Sequence, residues 1–264
     1  MTSQEIQKIV GVAASFGIGK VKLTGGEPLL RIDILEIVHG IKDRHGVEEV
    51  SMTTNGILLQ QYAGSLKKAG LSRVNISLDT LNPEKFRKIT GSAALESVVS
   101  GIREAVKADL TPLKVNMVLL KGMNEKDIAD MIAFTKENGL ILQIIEYESP
   151  LEDYVYDRYH ADLSGVERYL EDLAEKVTVR QMHHRRKYLL RNGGEVEIVK
   201  PMHNTEFCQH CNRIRVTSDG KLKPCLFRND NLVDLLNPIR NGASEETLRR
   251  LFREAVDRRK PYFK

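Results

Sequence analysis

The sequence VKLTGGEP, residues 21–28, joins a short strand pattern to a turn with two adjacent glycines. Gly25 and Gly26 let the backbone adopt positive φ angles and approach a ligand closely. Glu27 supplies a hydrogen-bond acceptor, and Pro28 stiffens the turn. Because ligands bind at the carboxyl ends of strands in parallel sheets, this turn is a candidate binding loop.

Four further segments have the strand pattern, and helix-period stretches such as residues 34–46 and 124–139 lie between them. This alternation predicts an α/β fold with a parallel sheet. Five strands with crossovers of ~20 to 30 residues indicate a full or partial TIM-type β/α barrel, with an open doubly wound sheet as the alternative. The predicted strands are residues 21–24, 47–54, 73–79, 113–120 and 140–148.

The pattern changes near residue 150, which predicts a barrel domain over residues 1–149 and a small α+β domain over residues 150–264. An Asn192-Gly193 turn lies among short alternating segments, as in a hairpin. The predicted elements are a helix at 163–176, alternating segments at 177–182, 187–192 and 195–199, and a charged helix at 244–256.

Composition narrows the class of protein. The chain has 264 residues, of which 41% are hydrophobic, so it can bury a large core. Its net charge of +4 fits an anionic ligand, whereas aromatic residues, at 6% and scattered, do not favour a nucleic-acid surface. We find no apolar run of ~18 residues and no signal-like start. We therefore predict a cytoplasmic protein without membrane or nucleic-acid partners.

All three cysteines of the chain, Cys208, Cys211 and Cys225, lie within 18 residues of one another. The Cys-x2-Cys spacing turns two sulfurs toward one point, and a predicted hairpin brings the third beside them. A zinc site would need a fourth ligand such as His203 or His210. A 4Fe-4S cluster on three cysteines would instead leave one iron open to substrate. The spacing alone does not choose between them.

Other polar residues suggest what such a site binds. Arg213 and Arg215 are two residues apart on an extended segment and should project to the same side, where guanidinium groups suit phosphate. The second predicted strand ends in residues 53–56, TTNG. The third carries Ser77 and Asp79 at its carboxyl end. Polar exits at neighbouring strands favour a binding site over ordinary turns.

The chain resembles the molybdenum-cofactor GTP cyclases, a family of radical S-adenosylmethionine (SAM) enzymes, over nearly its whole length. Six segments carry the resemblance: VKLTGGEPLLR, MTTNG, VNISLDTL, LKVNMVLLKG, QIIEY and CQHCNRIRVTSDGKLKPCLF. The resemblance implies a partial barrel of the radical SAM type with a small C-terminal iron-sulfur domain. The ending PYFK lacks the double glycine of many members, as in archaeal-like relatives.

The resemblance also implies an activity. In this family a 5'-deoxyadenosyl radical takes a hydrogen from the GTP ribose, and the sugar carbon attacks C8 of guanine to give 3',8-cyclo-7,8-dihydro-GTP. An electron donor such as flavodoxin or ferredoxin is implied, and a homodimer is one candidate assembly. The sequence leaves any catalytic acid or base unassigned.

The resemblance assigns site residues in three groups. Cys208, Cys211 and Cys225 match ligands of a 4Fe-4S cluster whose open iron faces the guanine. Gly25, Gly26, Glu27, Ser77 and Glu148 match SAM-binding positions, although the family usually has methionine at position 148. Lys22, Thr53, Lys114, Arg213, Ile214 and Arg215 match GTP-binding positions.

The chain departs from the family at its beginning. The three cysteines that hold the family's SAM-cleaving cluster, and the strand that carries them, are not in the sequence. The sequence instead opens on a helix with Thr2 and Glu5 spaced as a capping box. We expect that the start is an internal methionine of a longer reading frame. Alternatives are a peptide-modifying radical SAM enzyme, a zinc-dependent nucleic-acid binder, and a form that binds GTP and one cluster without turnover.

We predict that the 264-residue chain, reconstituted with iron and sulfide, releases no 5'-deoxyadenosine from SAM under strong reductant. The reason is that its three cysteines are committed to one cluster on the guanine side. A chain extended upstream by the cysteine-bearing strand should release it and cyclise GTP. Chromatography would detect both products, and 5'-deoxyadenosine at enzyme-stoichiometric amounts from the shorter chain would contradict the prediction.

Overall fold

A computed structural model describes residues 1–149, 151 and 153–263, and its central element is an open sheet of eight strands. The first five strands are parallel and adjacent in chain order. They confirm the strands predicted from the sequence. They are β1 (Lys20–Leu23), β2 (Glu49–Thr54), β3 (Arg73–Ser77), β4 (Lys114–Leu119) and β5 (Ile141–Glu146).

Helices alternate with these strands, as the periodicity predicts. Their apolar sides pack on the sheet because apolar residues recur every three or four positions. The first helix begins at the predicted capping box, in which Thr2 and Glu5 bond reciprocally. The helices are α1 (Ser3–Ala14), α2 (Ile34–Lys42), α3 (Leu59–Lys68), α4 (Pro83–Thr90), α5 (Leu95–Lys107), α6 (Ile128–Glu137), α7 (Tyr154–Tyr159) and α8 (Ser164–Leu173).

The sheet continues into the C-terminal region through β6 (Ala174–Val179), β7 (Arg186–Leu190) and β8 (Glu195–Val199). The strand order is β1-β2-β3-β4-β5-β8-β7-β6, with β8 parallel to β5 and the last two pairs antiparallel. The helix predicted to reach residue 176 is wrong at its end, because residues from Ala174 onward pair with β7. The predicted domain boundary falls at Pro150, outside the described residues, and stays a prediction.

The rest of the chain folds back onto α1. It comprises α9 (Thr205–Gln209), β9 (Arg215–Val216), β10 (Lys221–Lys223), β11 (Val233–Asp234), α10 (Leu236–Arg240) and α11 (Glu245–Asp257), with β9, β10 and β11 in a small antiparallel sheet. Phe252 of α11 stacks on Phe16 at 5.3 Å between ring centroids. Arg240 pairs with Glu5 at 2.7 Å. Beside these contacts, apolar side chains of α1, β10, β11, α10 and α11 form a second apolar core that joins the two ends of the chain.

The two faces of the large sheet differ in chemistry. Side chains alternate along each strand, so residues in register share a face. One face is apolar and buried under the helices. The other, which we call the polar face, carries Lys22, Ser51, Thr53, Arg73, Asn75, Lys114, Asn116, Gln143 and Glu197. In the part of the chain that the structure describes, no helix has the length and apolar character needed to cross a bilayer.

Candidate functional site

Glu197 lies on β8, on the polar face next to Gln143, and is fully buried. Lys114 Nζ and Arg180 Nη1 each donate to its Oε1 at 2.6 Å, and Gln143 Nε2 donates to Oε2 at 2.5 Å. Arg185 Nη1 lies 3.7 Å from Oε2. One carboxylate on β8 therefore holds three cations that come from β4 and from the connection between β6 and β7.

The pKa values of this group follow from the pairing. Burial alone would raise the pKa of Glu197, but the Lys114 ammonium and the two arginines lower it to about 2. Burial lowers the pKa of Lys114 to about 8, although Glu197 opposes that shift. Both groups are therefore mostly charged at pH 7, and the three cations outnumber the single acid. The group keeps a net positive charge.

Lys22 adds a further cation beside this group. Solvent reaches its side chain, yet the surrounding protein removes part of the ammonium's hydration and lowers its pKa to about 7. Arg73, Arg213 and Lys114 lower the pKa further, whereas the carboxylate of Glu49 acts in the other direction. A group whose pKa falls in a cluster of positive charges indicates a place where an anion binds favourably.

The three cysteines line one cavity beyond the carboxyl ends of β5 and β8. Arg213, Arg215 and Glu148 line the same cavity, as do Arg259 and Lys260 near the C-terminus. The predicted hairpin is present: β9 pairs with β10 and returns the chain toward the third cysteine. The structure thus brings together the thiols and guanidiniums that the sequence places along one segment.

The three cysteines are half-buried, and none is in a disulfide. Among residues 1–149, 151 and 153–263, no three His, Cys, Asp or Glu side chains converge closely enough to hold one metal ion. A tetrahedral zinc with Zn–S bonds of about 2.3 Å needs its sulfurs within ~4 Å of each other. A cubane cluster attaches each thiolate to a different iron and so accepts wider spacing.

The charged groups that line the cavity shift one another's pKa values. Burial lowers the pKa of Arg213, and Arg215 lowers it further. Burial raises the pKa of Glu148, whereas Arg215 and Arg213 oppose that rise. Nη1 of Arg215 is buried and has no hydrogen-bond partner among the described residues, so it is a free donor. Ile214, between the arginines, instead packs on the second apolar core.

The predicted SAM-binding residues, apart from Glu148, lie at the carboxyl ends of β1 and β3. Gly25 has a φ of +144°, and a Cβ there or at Gly26 would meet no atom within 4 Å, so the backbone is open to a ligand. The carboxylate of Glu27 is already hydrogen-bonded within the protein: Thr54 Oγ1 and Asn55 N donate to its two oxygens at 2.7 Å each. Its carboxylate ties the loops after β1 and β2 together. Thr53 is half-buried on the polar face, and Ser77 is exposed.

Sequence reasoning missed two important residues. Glu197 is 83 residues from Lys114, so only the pairing of β5 with β8 reveals the contact. His183 lines the cysteine cavity and is 3% exposed. Burial, with the charges of Arg213 and Arg185, lowers its pKa to about 3. The alternation of acids in EVEIV was a usable signal for Glu197, whereas no local pattern marks His183.

Two family models match the chain. Residues 1–135 match the radical SAM superfamily, and residues 141–264 match the family described as Molybdenum Cofactor Synthesis C. A relative from Methanothermobacter thermautotrophicus, named probable GTP 3',8-cyclase, is 49% identical over all of this chain and 86% of its own length. A Thermococcus kodakarensis protein of the same name is 50% identical over all of this chain and 87% of its own length.

Solved structures share the fold. Streptococcus suis SuiB bound to S-adenosylmethionine superposes with a TM-score of 0.66 at 17% identity, over 90% of this chain and 58% of SuiB. Native anSMEcpe with bound AdoMet gives a TM-score of 0.56 at 17% identity, over 87% of this chain and 66% of its own. At this identity the likeness concerns the fold alone, and it agrees with an incomplete β/α barrel.

We predict that Glu197→Gln lowers the free energy of unfolding by about 3 to 5 kcal/mol at pH 7, because the buried Lys114 and Arg185 and the partly exposed Arg180 lose their counter-charge. The folded-state pKa of about 2 lies below the ordinary 4.5, so the charge stabilises the fold above pH 4.5 and this contribution is lost as the pH falls toward 2. The gap between wild type and variant should therefore shrink below pH 4.5.

Urea unfolding followed by circular dichroism at several pH values would measure the difference in unfolding free energy between wild type and Glu197→Gln. Glu195→Gln is the matched control, since Glu195 lies on the same strand but is partly exposed and pairs with Lys187 at 2.8 Å. It should cost about 1 kcal/mol or less. A gap for Glu197→Gln that is small, or equal at pH 7 and pH 3, would contradict the network.

Proposed function

The chain belongs to the radical SAM superfamily and, within it, to the GTP 3',8-cyclase family. On that premise we propose that it binds GTP for cyclisation in the first step of molybdenum cofactor synthesis, a reaction whose radical step also needs the SAM-cleaving cluster for which this sequence has no cysteines. The name of the relatives, GTP 3',8-cyclase, gives the reaction, and the match to the Molybdenum Cofactor Synthesis C family gives its context. The product is 3',8-cyclo-7,8-dihydro-GTP.

One observation carries the proposal: three thiols and two guanidiniums line one cavity next to a strongly cationic sheet face. Thiolates suit iron, and guanidiniums suit phosphate. A zinc-dependent nucleic-acid binder would need ligands around one ion, and the described residues do not provide them. The sequence also lacks the aromatic residues, interleaved with basic ones, of a surface that binds single-stranded nucleic acid.

The cysteine triad would hold one 4Fe-4S cluster. Its sulfurs line one cavity without forming a single-ion site among the described residues, and a cubane, which attaches each thiolate to a different iron, does not need such a site. The sequence contains no cysteine outside the triad, so we derive no step through a second cluster. When bound, the cluster supplies an open iron that accepts a nitrogen or oxygen ligand, while SAM supplies the radical precursor.

The cations would bind and orient the triphosphate. Arg213 and Arg215 lie in the cavity, and Lys22 and Lys114 lie on the polar face nearby. Glu197 holds Lys114 in place, so little side-chain freedom is lost when phosphate arrives. A bound triphosphate would also raise the depressed pKa of Lys22 and so favour its charged form. Thr53 and the backbone at Ile214 would complete the contacts.

SAM would lie at the carboxyl edge of the sheet. Gly25 and Gly26 leave room for close approach, Ser77 offers an exposed hydroxyl, and Glu148 follows β5 and lines the cavity. Because Glu27 already bonds two loops, its contribution would be to keep the glycine turn rigid.

A soluble electron donor of the flavodoxin or ferredoxin class would supply the electron that radical formation consumes. A homodimer remains part of the proposal.

We predict that the anaerobically reconstituted chain holds about four irons, and that Cys225→Ala loses most of them. The reason is that a cubane held by two thiolates is far less stable than one held by three. Iron and acid-labile sulfide assays measure this directly. About eight irons per chain, or an unchanged iron content in the variant, would contradict the assignment.

We also predict that Arg213→Ala weakens GTP binding about ten- to a hundredfold, because a charge-assisted contact contributes roughly 1.5 to 3 kcal/mol. Arg215→Ala should act similarly. Titration calorimetry measures the affinities, and Arg87→Ala on the exposed surface of α4 is the control for a lost positive charge. Unchanged GTP affinity in both cavity variants, or an equal loss in the control, would rule out the assignment.

A further inference from the structure

His183 is attached to the Cys-x2-Cys segment at two points. Its ring stacks on Phe207 with centroids 4.0 Å apart and planes at 20°. Its backbone N–H donates to the carbonyl of His210 at 2.9 Å. Phe207 directly precedes Cys208, and His210 directly precedes Cys211. The imidazole therefore has a fixed position relative to two of the three cysteines.

The ring of His183 has unused hydrogen-bonding groups. The residue is 3% exposed, and neither Nδ1 nor Nε2 has a hydrogen-bond partner among the described residues. Buried polar groups without partners are rare because they lose the hydrogen bonds that water would give. A buried imidazole without a partner at a cavity wall indicates that it has a ligand.

The chemistry of the cavity identifies that ligand. Imidazole carries at least one N–H in either protonation state, so it needs an acceptor. The basic residues that share the cavity, among them Arg213 and Arg215, are donors only. On the side where Phe207 and His210 hold the ring, the adjoining residues are Cys208 and Cys211, whose sulfurs can accept.

We propose that a ring N–H of His183 donates a hydrogen bond to a sulfur of the iron-sulfur cluster that the cysteine triad holds, and that this bond raises the cluster's reduction potential. The inference rests on the proposed function, because it requires that cluster. Reduction adds negative charge to the sulfurs, so a donor stabilises the reduced form more than the oxidised form. His183 would thus set how readily the cluster accepts an electron.

The test compares three variants in the reconstituted chain. His183→Phe keeps a ring to stack on Phe207 but has no N–H. His183→Asn removes the imidazole yet tolerates a positive φ. His184→Phe is the matched control, because His184 also has a positive φ, of 50°, and stacks on a ring, that of His210, but does not line the cavity. Iron and sulfide are counted first in each protein.

Redox titration followed by electron paramagnetic resonance then gives the midpoint potential. We expect His183→Phe to keep its iron and to shift the reduction equilibrium about tenfold toward the oxidised form, which is about 59 mV for one electron. His184→Phe should match wild type. An unchanged potential in His183→Phe with full iron content would overturn the proposal, as would a large loss of GTP affinity without a change in potential.

A second measurement does not depend on the folding of His183→Phe. Protein labelled with ¹⁵N-histidine should show a weak nitrogen coupling to the reduced cluster, in wild type and in His184→Phe. His183→Asn should lack it, and persistence of the coupling in that variant would refute the assignment. A wild-type chain that takes up no iron and sulfide would instead refute the proposed function, so the two failures are distinguishable.

Discussion

The buried carboxylate of Glu197 needs compensating positive charge, and the arrangement of the polar face follows from this requirement. A fully buried negative charge is tolerated only with close cations and hydrogen-bond donors. Lys114, Arg180 and Arg185 supply the charge, and Gln143 supplies a further donor. Three cations around one acid leave a positive excess in a concave, poorly hydrated place. Such an excess destabilises the empty protein slightly and favours a polyanion such as a triphosphate.

A second constraint determines where the cysteine segment lies. The C-terminal strands and α11 pack on α1, so the chain returns to the edge of the sheet at which it began. This return places Arg213 close enough to affect the pKa of Lys22 on β1. The cavity with the thiols and the polar face are thus adjacent, although 191 residues separate those two cations. Apolar packing of α11 on α1 therefore positions the charged groups of the cavity beside those of the polar face.

Most of the fold could be predicted from the sequence because its signals are local. Parallel strands of four to six residues, the Thr2–Glu5 capping box and the β9–β10 hairpin all follow from short-range patterns. The pairing of β8 with β5 could not be predicted, since EVEIV has the same alternation whether its neighbour is parallel or antiparallel. The segment from Ala174 favours a helix locally, but pairing with β7 makes it a strand. The role of Glu197 and the position of His183 depend on these long-range contacts.

The central claim is that the cysteine triad and the cations form one site, in which a cluster and GTP are neighbours. The most direct test is the electron paramagnetic resonance spectrum of the reduced, reconstituted chain with and without saturating GTP. Because a nucleotide at the open iron changes the ligand field, the g values should change on addition of GTP and return after its removal by gel filtration. Identical spectra, in a sample for which equilibrium dialysis shows bound GTP, would contradict the shared site.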